Sequence, residues 1–321
     1  MIIEFPEYTP DLPAINNQGL IDAKNVKPLG RFYGAVKSVA AYSNAIEGTP
    51  HGFLGARDPN SGDAINFAGS VSKLYRLDSA VFSNISKVGG YSLNTDENWS
   101  MTQYGDKIIA VTITEAMQKY QIGVDALFSN LTSDVTAPKA RYVTTVKDFV
   151  LVGNTVDSVD GVVPHRVRWC GLAAPSSWTV SATTQADYQD LDAKDGWITG
   201  VVGMGDYAII FQENAITRMD YVGSPAIFQF NKLERNRGTR VPRSIVSVGN
   251  QIYYYANDGF YKFENYNSTP IGQNKVDKTF YNDFNTDFFY RVSAAIDYAN
   301  RLIVWSYNFQ IYKNHHWRNN K

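Results

Sequence analysis

The sequence predicts an all-β protein, a β-propeller of about six four-stranded blades, the last with room for only two or three strands. Three observations carry this: the composition, a recurring hairpin unit, and the period of that unit. Of 321 residues, 44% are hydrophobic and 14% aromatic, with 21 Tyr and 17 Phe, against only 19% charged. Aromatic side chains suit a pleated, half-buried surface better than an exposed helix. The recurring unit is an apolar stretch, a turn containing Gly or Asp/Asn, and a tightly apolar strand. It reads WSMTQYGDKIIAV (99–111), YVTTVKDFVLVG (142–153), ITGVVGMGDYAIIF (198–211), RSIVSVGNQIYYY (243–255) and VSAAIDYANRLIVW (292–305). Its turn residues Asp106, Asp148, Asp206, Asn250 and Asn300 lie 42, 58, 44 and 50 positions apart. One four-stranded blade takes about 40–50 residues.

In chain order, residues 1–40 read as an extended N-terminal arm. Pro6, Pro10, Pro13 and Pro28 each remove a backbone donor and restrain the preceding residue, leaving room for a short helix within 20–25. Residues 41–307 read as the propeller. A weaker sixth copy of the unit sits in NFAGSVSKLYRL, with its turn at Gly69 and Ser70. The two strongest copies continue alike, as IIFQENAITRM and YYYANDGFYKF, each placing a polar turn (Glu213 and Asn214; Asn257, Asp258 and Gly259) between apolar strands. That is a hairpin signature, so each unit is a meander of short antiparallel strands. One such sheet cannot bury both faces, and radial stacking closes repeated sheets economically. A β-sandwich or β-helix is the alternative. The repeats are too long for β-helix coils, and even spacing over this length exceeds one sandwich. Residues 308–321 are polar and without alternation, and read as a disordered or truncated tail. The competing expectation is that GAVKSVAAYS (34–43) supplies a missing strand and closes the ring.

Composition excludes several function classes. The net charge of -1 gives no whole-chain basic field for nucleic acid or an anionic membrane. The single cysteine, Cys170, excludes an internal disulfide and a Cys-based zinc site, and fits assembly in a reducing cytoplasm. The opening MIIEFPEYTPDLPAI lacks the basic start and apolar run of a signal peptide, and no stretch approaches the ~18 apolar residues of a membrane helix. The chain therefore reads as soluble, with no membrane partner.

The candidate chemistry is sparse. Asp187, Asp190, Asp192 and Asp195 in DYQDLDAKDG could gather a hard cation, but Lys194 takes a ligand position and Asp195 the glycine position of a calcium loop, which favours a solvated loop. SLNTDENW (92–99) is a weak match to the Asp-box turn of sialidase-type propellers, with Asn94 at the aspartate position and Glu97 or Asp96 at the glycine position. His165 has no second ligand spaced for a metal, His51 stands alone in a Gly-rich loop, and His315 and His316 are neighbours that cannot easily share one ion. Cys170, after Trp169 on an apolar strand, reads as an inert buried thiol. No catalytic, metal or cofactor-binding residue is assigned. The strongest local charge is LERNRGTRVPR, where Arg235, Arg237, Arg240 and Arg243 face one acid, Glu234. Guanidinium groups on a loop can grip phosphates or partner carboxylates, so this loop is the candidate contact for another subunit or for DNA, against a solvated inter-blade loop.

Several segments together resemble the tail structural proteins of tailed bacteriophages, broadly the β-propeller hub, nozzle or packaged-DNA stabilisation proteins of short-tailed phages. They are WCGLAAPSSWT (169–179), TTQADYQDLDAKDGWI, FQENAITRMDYVGSPAIFQF (211–230), RGTRVPRSIVSVGNQIYYYANDGFYKF and TPIGQNKVDKTF (269–280), with the opening PDLPAINNQGLIDAKNVKP (10–28). The resemblance touches about two thirds of the chain; such proteins generally run longer at the C-terminus. It implies a non-enzymatic virion component of the tail, assembled in the host cytoplasm. It also implies a ring of identical copies at the portal or tail-adaptor proteins, helping to line or close the DNA exit channel, with the DNA in that channel a candidate partner. A glycan-binding or glycan-cleaving, sialidase-like propeller is the alternative reading, and a peptide-binding cellular scaffold a third.

Overall fold

The computed structural model describes residues 6–30, 32–38 and 40–308. The chain divides into two compact units, Val39–Arg240, and Met1–Ser38 together with Val241–Lys321. The expectations for residues 309–321, including His315 and His316, lie outside the described residues.

The N-terminal stretch holds a 3-10 turn at Ala14–Asn16 and a hairpin of β1 (Val26–Leu29) and β2 (Phe32–Ala35). The short helix expected within 20–25 does not form. Six residues with Asn25 in the left-handed region (φ 57) cannot offset the cost of nucleating a helix.

The unit Val39–Arg240 contains four consecutive four-stranded antiparallel meanders. The first is β3 (Phe53–Arg57), β4 (Ala64–Gly69), β5 (Leu74–Asp78) and β6 (Val81–Asn84). The second is β7 (Ser100–Tyr104), β8 (Lys107–Val111), β9 (Gln118–Gln121) and β10 (Ser129–Asn130). The third is β11 (Lys139–Val146), β12 (Phe149–Asp157), β13 (Gly161–Trp169) and β14 (Asp187–Asp190). The fourth is β15 (Ile198–Gly203), β16 (Tyr207–Gln212), β17 (Ala215–Gly223) and β18 (Ile227–Arg235). In the other unit β19 (Val246–Val248), β20 (Gln251–Ala256), β21 (Gly259–Glu264) and β22 (Asn267–Pro270) make a fifth meander. The helix α1 (Asp277–Asp283) and the two-stranded sheet of β23 (Ser293–Asp297) and β24 (Leu302–Ser306) follow.

This is an all-β fold of the propeller class with five four-stranded blades rather than about six. The fifth copy of the repeat, VSAAIDYANRLIVW, is the β23–β24 hairpin, which is two-stranded among the described residues. The other four strong copies are the first two strands of blades two to five, with turns where the sequence places them. The weak copy is offset by one strand: Gly69 ends β4 and Ser70 begins the turn between the second and third strands of blade one. The first hairpin there is β3–β4, hidden from the pattern because β3 is FLGAR with only Ala56 fully buried, and because six residues separate its strands.

Burial explains why second strands read so clearly. FVLVGNTVD of β12 and YAIIFQ of β16 are buried along nearly their whole length, on both faces, so their apolar runs are continuous rather than alternating. Last strands such as DYQD of β14 and SN of β10 are exposed and need no apolar side chains, whereas β18 buries Ile227 and Phe228 in the core. Within Val39–Arg240, neighbouring blades join through their first hairpins. Gln103 exchanges two hydrogen bonds with the Arg57 backbone (2.9 and 2.7 Å), Tyr104 Oη donates to Asp148 O (3.1 Å), and Lys147 N donates to Gly205 O (2.7 Å). Deeper in, Val143 N donates to Ser100 Oγ (3.0 Å) and Gly203 N to Thr144 Oγ1 (2.9 Å). Gly203 is required at that last contact, since a Cβ would overlap Thr145 O and Thr144 Oγ1.

Candidate functional site

The arginine-rich loop is divided by the fold. Arg235, Arg237 and Arg240 belong to Val39–Arg240, whereas Arg243 belongs to the other unit, where burial pushes its pKa down. After β18 the chain is pinned back on the blade. Thr239 N donates to Gln212 O (3.1 Å), and Gly238 lies so close to that carbonyl that a Cβ would overlap it. Arg237 Nη1 pairs with the buried Glu234 at 3.3 Å. Arg235 and Arg240 are exposed, with no ion pair among the described residues. The structure thus reduces the four candidates to two outward cations, Arg235 and Arg240, flanking a tethered loop.

A larger concentration of charge was not singled out from the sequence. On β13, Arg166 and Arg168 are alternate residues and so share one face, and both side chains are buried. Arg166 forks onto Asp190, directly opposite on β14 (Nε–Oδ1 2.6 Å, Nη2–Oδ2 2.9 Å), and its Nη1 reaches Asp160 (2.5 Å) and Asp157 (3.2 Å). Its ring-facing side lies 4.1 Å from the centre of Tyr188. Arg168 pairs with Asp157 and donates to Trp178 O (2.7 Å). The Asp190 bonds raise the Arg166 pKa, and Arg166 in turn lowers that of Asp190. Two guanidiniums and three carboxylates are therefore spent on each other, binding β12, β13, β14 and the loop before β14. The available signal was two cations at alternate positions in an otherwise apolar strand.

The four aspartates of DYQDLDAKDG separate onto different partners. Asp187 accepts from Tyr188 N (2.8 Å), Asp190 from Arg166, and Asp192 (3.5 Å) and Asp195 pair with Lys232. Gln212 Nε2 donates to Asp192 O (3.0 Å) and Gly196 O (2.9 Å), holding the same connector. Among the described residues, no three His, Cys, Asp or Glu side chains gather to hold a metal.

In the weak Asp-box segment, Asn94 Nδ2 donates to Glu97 Oε1 (2.8 Å) and Thr114 Oγ1 to Oε2 (2.7 Å), while buried His51 is bonded through Nδ1 to Glu97 O (2.6 Å). His165 is half-buried and its carbonyl accepts from Leu191 N (2.9 Å). Cys170 is fully buried: its sulfur accepts from Val150 N (3.0 Å), and burial pushes the thiol up to about 12. The WCGLAAPSSWT segment is fastened by Asp134. Its carboxylate accepts from Trp178 N (2.9 Å), Thr179 N (3.0 Å) and Thr136 N (2.9 Å), with Thr132 Oγ1 donating to Ser176 O (2.7 Å) alongside.

No protein-family model matches the sequence, and no curated protein does. Among solved structures, the chain is similar to the extracellular domain of a protein described as a hybrid two-component system from B. thetaiotaomicron, at 13% identity and TM-score 0.42. That alignment covers 68% of this chain and 26% of the other, so the chain spans about a quarter of its length. It is also similar to BBS1N, solved in complex with ARL6DN, at 10% identity and TM-score 0.45, covering 73% of this chain and 70% of that one. At these values neither likeness carries an argument about function.

Proposed function

We propose that the chain is a non-enzymatic structural component of a bacteriophage tail. In this reading it assembles as a ring of identical copies at the portal or tail-adaptor end and helps to line the DNA exit channel. The reading starts from the resemblance of the segments between residues 169 and 280. One observation supports it best: polar side chains fasten the loops of those segments in place. Arg168 and Asp134 hold the Trp178 loop, while Lys232 and Gln212 hold the 192–196 connector. A blade stiffened this way suits a part whose loops dock to neighbours while its sheets stay fixed. Arg235 and Arg240, exposed on the tethered loop, are the residues proposed to meet DNA phosphate or a partner carboxylate.

Mass spectrometry of purified virions tests the reading directly. The polypeptide is expected in tails in several copies per particle, and virions without it refute the proposal. For the loop, binding of duplex DNA to the ring should weaken with salt, and R235E/R240E should flatten that dependence.

A further inference from the structure

We propose that a cavity between the β20–β21 turn and α1 is a carbohydrate site taking a single pyranose unit. It lies wholly within the unit formed by residues 1–38 and 241–321, measures about 330 Å3, and is lined by Tyr255, Asn257, Asp258, Asp277, Lys278, Tyr281 and Asn282. That volume is at the small end of ligand cavities, about 300–1,000 Å3.

What sets this cavity apart is uncommitted chemistry. A second cavity of about 390 Å3 shows the contrast: its lysines, Lys73 and Lys87, already pair with Glu47 and Glu115. In the α1 cavity, Asp258 uses only Oδ2, which accepts from Tyr261 Oη (2.7 Å), and Asp277 only Oδ1, which accepts from Phe260 N (3.0 Å). The second oxygen of each carboxylate, the Asn257 amide and the Lys278 ammonium have no hydrogen bond among the described residues. Asp277 is firmly seated, because a Cβ at either Gly259 or Gly272 would overlap its carboxylate. Burial, with Asp11 and Asp258 nearby, pushes its pKa up, so its charge is poorly compensated and donors are welcome. Of the two aromatic residues lining the cavity, Tyr281 is 58% exposed and Tyr255 is buried.

Planar acceptors, an amide, an ammonium donor and an aromatic face together match a polyol with one apolar C–H face. A small organic cation fits less well, since Lys278 stands at the rim. The inference does not depend on the tail assignment and survives its failure.

The test is saturation-transfer NMR and calorimetry on the full chain with the methyl glycosides of glucose, galactose, mannose and N-acetylglucosamine, and with arginine methyl ester as the cationic probe. Saturable binding of at least one glycoside is expected, weakened about tenfold or more in Y281A and in N257A. Both residues are exposed, so both variants should keep the wild-type melting temperature, which is measured alongside. Failure of every glycoside to saturate at up to roughly 50 mM, binding undiminished in both variants, or binding of arginine methyl ester alone would overturn the proposal.

Discussion

Replacing Asp134 by Asn or Ala should reveal how much one carboxylate contributes to joining blades two and three. The side chain leaves the chain just after β10, and its two oxygens accept five hydrogen bonds. Oδ1 takes Thr136 N (2.9 Å) and Thr136 Oγ1 (2.7 Å); Oδ2 takes Trp178 N (2.9 Å), Thr179 N (3.0 Å) and Thr179 Oγ1 (3.2 Å). Burial alone would raise the pKa, but the bonds from Thr136, Trp178 and Thr179 outweigh it and hold the group at about 2. Against an ordinary value of 3.8, that shift corresponds to at most about 2.5 kcal/mol, and solvent screening of a partly solvated carboxylate reduces it to roughly 1–1.5 kcal/mol. D134N, which removes the charge but keeps an acceptor, should cost about that much at pH 7. D134A, which strands three backbone donors, should cost about 2–3 kcal/mol. Because the folded pKa is depressed, the contribution is complete above the unfolded value near 4 and is lost as pH falls through about 2. Urea titrations followed by tryptophan fluorescence should therefore show the gap between wild type and D134N constant from pH 7 to 5 and closing below pH 4. A D134N protein as stable as wild type at pH 7, or a gap that ignores pH, would refute the assignment.

Four further perturbations test the same geometry. D157N should be severe, about 3–5 kcal/mol by urea unfolding, because it leaves the buried Arg168 guanidinium with no carboxylate to neutralise it; D160N, at an exposed partner of Arg166, should cost under about 1 kcal/mol. G203A should cost about 1–3 kcal/mol, since its Cβ meets the Thr145 carbonyl, a backbone atom that cannot swing away. Cys170 should resist iodoacetamide at pH 8 in the native protein and react at the rate of unfolding, because the buried thiol holds its proton up to about 12; rapid native labelling would contradict that burial.

How legible the fold was depended on which strand of a blade was being read. KIIAV, FVLVG, YAIIF and QIYYYA are second strands, enclosed on both faces, and their apolar runs made the repeat visible. The outer strands gave almost no signal, because water solvates one face and one edge of DYQD or SN whatever their side chains are. Blade one slipped by a strand for the same reason, its first strand being mostly exposed. The helix α1 is a different failure. Seven residues carry too few turns for a 3.6-residue period, and its first turn is capped from a distance: Asp11 accepts from Lys278 N (2.7 Å) and Thr279 N (2.9 Å), 267 residues away in the first case. No local window contains that information.

The same logic separates the charges that could be interpreted from those that could not. LERNRGTRVPR stands out because its arginines crowd together in sequence, yet crowding says nothing about burial: the fold leaves Arg235 and Arg240 in water and carries Arg243, half-buried, into the other unit. Arg166 and Arg168 look unremarkable in PHRVRWCG, and their acids come from Asp157, Asp160 and Asp190, which only strand register brings together. Clustering in sequence marks charges that repel and so tend to face solvent or a partner. Charges that compensate one another across strands are silent in sequence and hold the blade. An exposed, uncompensated pair such as Arg235 and Arg240 is therefore the better candidate for contact with another molecule, and the denser Arg166 cluster the better explanation for what ties its strands together.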